Sequence, residues 1–258
     1  MNHKIILSAL LAAGSFTACA QNAKPEDTEI WQPEPKVVTA GKTVGDVPSD
    51  AIVLFDGKNL NEWVSSNDHT KPSGWPVADG VFTVNKGPLG GGGIITKRTF
   101  TNYQLHVEWR VPANITGSGQ VRGNSGIFLA STGFGDSGYE LQVLDSYKNK
   151  TYVNGMAGSI YKQFAPLANA VKQPGEWQVY DVIWTAPVFN EDGTVKSAAK
   201  VTVLLNGVLI QNNTELLGPT VYVGKPQYKK HGVAPIYIQS HGDPSEPLSF
   251  RNIWLREL

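Results

Sequence analysis

Most of the chain is divided into short segments in which apolar and polar residues alternate, separated by Gly, Pro, Asn and Asp. Period-2 alternation between regularly spaced turn residues is typical of antiparallel strands. We expect strands at 81–85, 93–98, 103–111, 125–130, 139–145, 177–185, 200–207, 208–213, 236–241 and 250–258. The Asn206-Gly207 pair between two of them suits a type I′ hairpin. So many strands without a helical period predict an all-β fold, a single jelly-roll sandwich of two antiparallel sheets.

The N-terminus has the pattern of an export signal. An apolar stretch at 5–13 follows Lys4 and is too short to span a bilayer permanently. It leads to "SFTAC", which resembles a bacterial lipobox ending at Cys19, although simple cleavage near Ala20 is the alternative. The sequence therefore predicts a signal at 1–19, a Pro-rich and charged tether at 20–48, and the folded domain at 49–258. The protein is expected to be exported, periplasmic or at the cell surface, and held to the membrane through lipid on Cys19.

Charge and motif content exclude several function classes. Lys+Arg and Asp+Glu are equal at 22 each, so no overall field attracts nucleic acid, and membrane contact is expected only through the lipid anchor. The chain has no HExxH, CxxC or GxSxG motif, and its five His lack close spacing, so no metal site is predicted from the residues.

Three predicted strands carry hydrogen-bonding side chains on the face away from the core. Strand period puts Glu140 and Gln142 on one face of "YELQVLD", Gln239 and His241 on one face of "IYIQSH", and Glu108 on the polar face of "YQLHVEWRV". An ordinary solvated sheet surface is the alternative for any one strand. All three together favour a concave sheet that binds a hydroxyl-rich ligand.

Other polar residues near these strands are candidates for substrate contacts. Arg122 and Asn124 stand at the start of the "SGIFLA" strand, beside glycines that let a ligand come close. Asp145 falls on the core side by strict alternation, unless a bulge re-aims it or it lies beyond the strand end. Lys162 is an isolated lysine beside an apolar segment, an arrangement typical of a solvated side chain.

An ordered series of motifs resembles a known family. The series includes "LFDGKNLNEWV", "GIITKRTFTNYQLHVEWRVP", "GNSGIFL", "YELQVLD", "AGSIYKQFAP", "KQPGEWQVYDVIW", "PIYIQSHGDP" and "FRNIWLREL", and it runs from about Ala51 to Leu258. In this order the motifs are similar to the 3-keto-disaccharide hydrolase domain family, also called DUF1080. The resemblance implies a concanavalin A-like sandwich that hydrolyses glycosides already oxidised to a ketone at C3. A sugar dehydrogenase that supplies the keto sugar is an implied partner.

That chemistry assigns provisional roles to the polar face. A ketone at C3 makes the C2 hydrogen acidic, so elimination at C1 needs a base, donors for the enolate and an acid. We expect Glu140, with a raised pKa, to be the base, and Glu108 to take the second acid/base role. Arg122 and His241 would contact the enolate or the leaving group. The remaining candidates for substrate binding are Asn124, Gln142, Asp145, Lys162 and Gln239. No cofactor is expected, although sandwiches of this class can bind Ca²⁺ in loops.

Two other functions remain open from the sequence. Related sandwich glucanases carry E-x-D-x-x-E on one strand, and Glu140, Gln142 and Asp145 occupy those positions here. An ordinary two-carboxylate glycosidase is therefore one alternative, although the middle acid is an amide. A non-catalytic, lectin-like binding module is the other.

Overall fold

A computed structural model describes residues 24–87 and 92–258. The predicted signal at 1–19 and its lipidation site Cys19 lie outside the described residues, so they stay predictions. Within the unit that ends at Val37, the described part has one 3₁₀ turn at Pro25–Thr28. The second compact unit runs from Val38 to Leu258, so it begins before the predicted boundary at 49. No helix in the described part of the chain is long and apolar enough to cross a membrane.

Fifteen strands and two further 3₁₀ turns make up the second unit as described. The strands of its first half are β1 (Ile52–Phe55), β2 (Trp63–Ser65), β3 (Val77–Ala78), β4 (Val81–Thr83), β5 (Ile94–Thr96), β6 (Tyr103–Arg110), β7 (Ser125–Ser131) and β8 (Gly138–Val143). Those of its second half are β9 (Gln178–Thr185), β10 (Val188–Phe189), β11 (Val195–Ser197), β12 (Lys200–Leu205), β13 (Val208–Glu215), β14 (Tyr237–Ile238) and β15 (Ser249–Glu257). The 3₁₀ turns are Gly119–Val121 and Val153–Gly155.

These strands form two main antiparallel sheets. The larger sheet has the order β13-β12-β9-β6-β15-β4-β3, with β1 also paired to β15, and the smaller has the order β2-β5-β14-β7-β8. Strands β10 and β11 form a separate ribbon. The predicted all-β jelly-roll sandwich is confirmed. So is the hairpin turn between β12 and β13, where Asn206 and Gly207 both have the positive φ that a type I′ turn requires.

The core lies between the two sheets and follows the period-2 pattern. On β6, Leu105, Val107 and Trp109 are fully buried, whereas Glu108 on the opposite face is only partly so. Each fully buried large apolar side chain contributes about 1.5–3 kcal/mol to folding, which is how a chain with no cysteine in the folded unit is stabilised.

Two tyrosines of the larger sheet cross the core and hold strands of the smaller one. The Tyr180 hydroxyl donates to the carbonyl of Gln142 over 2.7 Å, and the Tyr103 hydroxyl donates to the carbonyl of Leu129. These bonds fix β7 and β8, whose residues are buried on both faces. A strand buried on both faces but polar on one indicates that something covers its outer side.

Candidate active site

A cavity of about 200 Å³ lies on the outer face of the smaller sheet. Its lining residues all carry polar groups and come from β8 and from five segments outside the strands: before β7, between β7 and β8, between β8 and β9, between β13 and β14, and after β14. The lining residues are Asn124, Asp136, Glu140, Gln142, Tyr161, Thr220, Tyr222, Gln239 and His241. The structure thus brings together five of the residues predicted from the sequence: Asn124, Glu140, Gln142, Gln239 and His241.

A glycine on β7, the strand next to the sheet edge, leaves space above the sheet. Gly126 on β7 lies opposite Gln142 on β8, and its carbonyl accepts the Gln239 N–H over 2.9 Å. A Cβ at position 126 would lie 2.5 Å from Oε1 of Glu140, closer than any real contact. The missing side chain therefore lets the Glu140 carboxyl lie across the neighbouring strand.

Glu140 is a buried carboxyl without an ionic partner. Glu140 is 5% exposed, and no cationic side chain among the described residues forms an ion pair with its carboxyl. Burial, and then the nearby charge of Asp136, raise the pKa of Glu140 to about 8. A raised pKa of Glu140 is also what we expect from the sequence. A carboxyl with this pKa can both take and return a proton near neutral pH.

Main-chain bonds fix Glu140 on the edge strand β8. Its N–H donates to the Thr220 hydroxyl over 3.1 Å, and its carbonyl accepts the Tyr161 N–H over 3.2 Å. Thr220 and Tyr161 both line the cavity, so the loops that form its walls also cover the open edge of the sheet. The position of the carboxyl therefore follows the position of these loops.

Two other hydroxylic or acidic groups lie beside Glu140. Asp136 accepts a hydrogen bond from the Tyr237 hydroxyl over 2.9 Å. The hydroxyls of Tyr161 and Tyr152 lie 2.7 Å apart. Burial, followed by the bond to Tyr152, raises the pKa of Tyr161. Tyr161 therefore remains a neutral hydrogen-bond donor at physiological pH.

Amide side chains supply acceptors on the floor of the cavity. Nε2 of Gln142 donates to Oδ1 of Asn124 over 2.9 Å, and Nδ2 of Asn124 donates to the Gln120 carbonyl over 2.7 Å. This chain sets the orientation of the Gln142 amide. Oε1 of Gln142 and Oε1 of Gln239 are buried and have no protein partner among the described residues. Since buried acceptors need donors, both oxygens are suited to bind hydroxyl groups of a ligand.

His241 is held by a buried acid. Its Nδ1 lies 3.0 Å from Oδ2 of Asp243, and the same oxygen is 3.0 Å from Nζ of Lys86. Burial alone would raise the pKa of Asp243, but hydrogen bonds from His241, Ser245 and Lys86 hold it well below its usual range. The Asp243 N–H also points at Nδ1, over 3.3 Å, but the bond to the ionised carboxylate is shorter and an ionised acid can only accept, so we place the proton on Nδ1. The other ring nitrogen, Nε2, is then free to act in the cavity.

The predicted placement of Glu108 in this cavity is wrong. Glu108 lies on β6, in the larger sheet, where Oε2 is 2.6 Å from Nε of Arg251 and Oε1 accepts from Asn252 over 2.9 Å. Burial opposes its ionisation, but hydrogen bonds from His106, Asn252 and Arg251 lower the pKa of Glu108 to about 2. Strand period sorts the two faces of one strand and cannot tell which sheet the strand joins.

Arg122 and Asp145 pair with each other and do not line the cavity. Nε of Arg122 lies 2.7 Å from Oδ2 of Asp145, whose side chain is fully buried. Strand β8 ends at Val143, so Asp145 lies beyond it in a loop, one of the two placements left open by the sequence. The Asp145 N–H also bonds the carbonyls of Arg122 and Gly123. The pair thus joins the loops at the ends of β7 and β8.

Lys162 is at the rim of the cavity and is not simply solvated. Its Nζ donates to the Tyr222 carbonyl over 2.8 Å and lies 3.9 Å from the centre of the Tyr222 ring. Since Tyr222 lines the cavity, Lys162 holds one wall in place by a hydrogen bond and a cation–π contact.

Several residues of the site were not predicted from the sequence. They are Lys86, Asp136, Tyr161, Thr220, Tyr222 and Asp243. Asp136 lies two residues before the start of β8 in "STGFGDSGYEL", so its position before the Glu140 strand was a usable signal. Lys86 and Asp243 are 157 residues apart, and no spacing rule connects them.

The described residues offer no set of acidic or imidazole ligands for a metal ion. No group of three or more His, Cys, Asp or Glu side chains in 24–87 and 92–258 is arranged to hold one. The expectation that a loop binds Ca²⁺ therefore stays a prediction.

Comparisons with known proteins agree with this architecture. A predicted glycosyl hydrolase from Parabacteroides distasonis, known from a crystal structure, is 56% identical in sequence to this protein. The two structures match with a TM-score of 0.83, over 91% of this chain and 97% of the other. A second from the same organism, at 21% identity and a TM-score of 0.55 over 81% and 94% of the two chains, shows the same fold.

A relative and a family model also match this chain. The chain is 27% identical to a 3-keto-disaccharide hydrolase of Bacteroides thetaiotaomicron, over 66% of this chain and 69% of the relative. The model of the 3-keto-α-glucoside-1,2-lyase-like domain matches residues 50–256, which include every residue that lines the cavity. The chain belongs to the 3-keto-α-glucoside-1,2-lyase-like domain family.

Proposed function

We propose that this protein cleaves 3-keto-glycosides by elimination at C1 followed by hydration. Its family membership and its relatives make it a glycoside hydrolase-type enzyme. The family is described as 1,2-lyase-like, whereas the relative from B. thetaiotaomicron is named a hydrolase. Elimination is a lyase step, and elimination followed by hydration is a net hydrolysis, so one route accounts for both descriptions.

The route requires a base for the C2 hydrogen. A base removes the C2 proton, and its electron pair forms an enolate with the C3 ketone. Collapse of the enolate forms the C1–C2 double bond and breaks the bond from C1 to the leaving oxygen, which takes up a proton. Water then adds across the double bond, with hydroxyl to C1 and hydrogen to C2. The products are the free 3-keto sugar and the released alcohol.

The buried carboxyl of Glu140 is the observation that carries this proposal. Its pKa of about 8 makes the ionised form a stronger base than an exposed carboxylate, while part of the population is still ionised at neutral pH. The acceptor oxygens of Gln142 and Gln239 are suited to hold sugar hydroxyls beside it. Geometry and pKa thus support Glu140 as the base.

The remaining groups fit the developing charges. Tyr161 keeps its proton and can donate to the enolate oxygen. When both ring nitrogens of His241 carry protons, Nδ1–H donates to Asp243 and Nε2 can deliver its proton to the leaving oxygen. We assign the enolate contact to Tyr161 in place of Arg122, because Arg122 is paired with Asp145 outside the cavity.

One observation keeps a direct two-carboxylate mechanism as a second candidate. The pair expected from the sequence fails, because Asp145 is buried in an ion pair and does not line the cavity. Asp136, however, lines the cavity together with Glu140. These two acids are the carboxylates that a direct displacement at C1 would use.

Deuterium at C2 distinguishes the two routes. In D₂O, the wild-type enzyme acting on a 3-keto-glucoside is expected to give product with deuterium at C2, because the proton added on hydration comes from solvent. Mass spectrometry and NMR at early times measure the label, and 3-keto-glucose incubated without enzyme corrects for spontaneous exchange. The matching glucoside without the ketone should not be cleaved. Product that keeps hydrogen at C2, together with no primary isotope effect on kcat/KM for a substrate carrying deuterium at C2, would rule out the elimination.

Asp243→Asn tests how His241 is positioned. The amide cannot supply the charge that holds Nδ1–H, so we expect kcat to fall by about 10-fold or more, the lower range for loss of a well-placed acid. KM should change by less than about 2-fold, because Asp243 itself does not line the cavity. Asp56→Asn, at an exposed acid paired with Lys58, is the matched control. A change in KM alone would show that Asp243 shapes the binding site and does not act through His241.

A further inference from the structure

A second cavity, of about 340 Å³, adjoins the one that contains Glu140. Asp136 and Thr220 line both cavities, so they form the boundary between the two. The other lining residues are Thr132, Ser137, Gly138, Pro219, Val221, Gln227, Lys229, Lys230 and His231. A group leaving a sugar in the first cavity therefore has a neighbouring space in which to lie.

The segment that lines this second cavity is basic. Between Glu215 and Asp243 the sequence has no Asp or Glu, but it has three lysines, Lys225, Lys229 and Lys230. In a chain with equal numbers of acidic and basic residues, such a stretch is a local excess of positive charge. The proposed reaction at C1 and C2 does not use this charge.

The two lysines that line the cavity have no carboxylate partner among the described residues. Nζ of Lys230 is held by the carbonyls of Asn190 and Glu191, over 3.0 and 3.1 Å. An ammonium has three donors, so the third stays available to a ligand. The neutral carbonyls fix the ammonium in place without cancelling its charge, which preorganises it for an anion.

The other titratable side chains of this cavity do not neutralise the positive charge of the two lysines. Nδ1 of His231 donates to the Gly232 carbonyl, and its Nε2 lies 2.9 Å from the Tyr139 hydroxyl. Asp136 is the one acid in the lining, and it already accepts a hydrogen bond from Tyr237. Two lysines and one carboxylate therefore belong to the lining of this cavity, which leaves a net positive charge among its residues.

We infer that the second cavity is the leaving-group subsite and that it takes a sugar bearing an anion, a carboxylate or a sulfate. This inference rests on the proposed function, since it assigns the released half of the substrate. It narrows the substrate class from 3-keto-glycosides in general to those whose leaving sugar is acidic.

Matched substrates test the inference through turnover. Three 3-keto-glucosides of one linkage, with glucuronate, glucose 6-sulfate or glucose as leaving group, are compared with the wild-type enzyme. We expect kcat/KM to be about 10-fold higher for at least one acidic substrate, the scale of one charge-assisted hydrogen bond. The advantage should shrink in 0.5 M NaCl. The two acidic arms show whether a carboxylate or a sulfate is preferred.

Variants then connect the preference to the two lysines. The double variant Lys229→Gln, Lys230→Gln is expected to lose about 10-fold more kcat/KM on the preferred acidic substrate than on the neutral one. Lys225→Gln removes a charge from the same segment but not from the cavity lining. This variant should therefore prefer the acidic substrate over the neutral one by the same factor as the wild type. Equal kcat/KM for all three substrates, or equal losses on all of them in the double variant, would overturn the inference.

Binding of the free leaving sugars separates this inference from the proposed reaction. If a neutral 3-keto-glucoside is cleaved but no acidic preference is seen, the reaction stands and the subsite assignment fails. If no 3-keto-glucoside is cleaved, the proposed reaction fails, and calorimetry with free glucuronate, glucose 6-sulfate and glucose still decides the subsite. Wild-type protein that binds neither anion more tightly than glucose contradicts the assignment.

Discussion

Replacing Glu140 with Gln is expected to lower kcat on a 3-keto-glucoside by about 100-fold or more, the usual scale for loss of a positioned acid/base group. The amide keeps the shape of the acid but cannot take the C2 proton. Because the floor of the cavity consists of other side chains, KM should change much less than kcat. Steady-state kinetics with the purified variant measure both constants.

The same variant is expected to be more stable than the wild type at high pH. The folded protein holds the pKa of Glu140 at about 8, above the ordinary value of 4.5. Between these two pH values the folded state binds more protons than the unfolded state, so the free energy of unfolding falls as pH rises. The amide in Glu140→Gln does not titrate, so the advantage of the variant grows from zero near pH 4 to an upper limit of about 5 kcal/mol above pH 8.

Thermal unfolding of both proteins from pH 4 to pH 9 checks this interpretation of Glu140. A variant that loses activity and becomes increasingly more stable than the wild type as pH rises has lost a functional group whose charge is costly to bury, and not a structural one. A stability difference that stays constant over this range would contradict the raised pKa. A variant that keeps kcat within a few-fold of the wild type would remove Glu140 from the role of base.

The sequence predicts which side chains share one face of a strand, but it does not predict which sheet the strand joins. Alternation correctly put Glu140, Gln142 and Gln239 away from the core, because side-chain direction is a property of each strand alone. The same rule put Glu108 on a polar face, yet that face belongs to the larger sheet. Sheet membership depends on pairing between distant strands, such as β6 with β15, and no local pattern encodes it.

Local motifs also could not show which polar residues satisfy one another. Arg122 and Asp145 each looked available for substrate, but they form an ion pair. Lys162 looked solvated, but it holds Tyr222 at the cavity rim. Lys86 reaches Asp243 only because the end of β4 and the segment after β14 come together in the folded domain. In each case the partner was set by tertiary packing.

Gly126→Ala is expected to reduce kcat by about 100-fold while the fold is retained. The new Cβ would lie 2.5 Å from Oε1 and 3.1 Å from Cδ and Cγ of Glu140. All three atoms belong to a side chain that can rotate, so the carboxyl should move off β7 and the backbone should stay in place. A displacement of about 1 Å from the productive position costs rates of this order.

A matched glycine and a pH titration decide whether the loss comes from displacement of Glu140. Gly232→Ala places a methyl where no heavy atom lies within 4 Å, so its kcat and melting temperature should equal those of the wild type. In Gly126→Ala, a carboxyl pushed toward solvent would lose part of the burial that raises its pKa, so the stability decrease between pH 4.5 and 8 should become smaller. Full activity in Gly126→Ala would mean that the carboxyl does not need to lie across β7. A loss of activity with the wild-type pH dependence of stability would assign the effect to steric exclusion of the substrate.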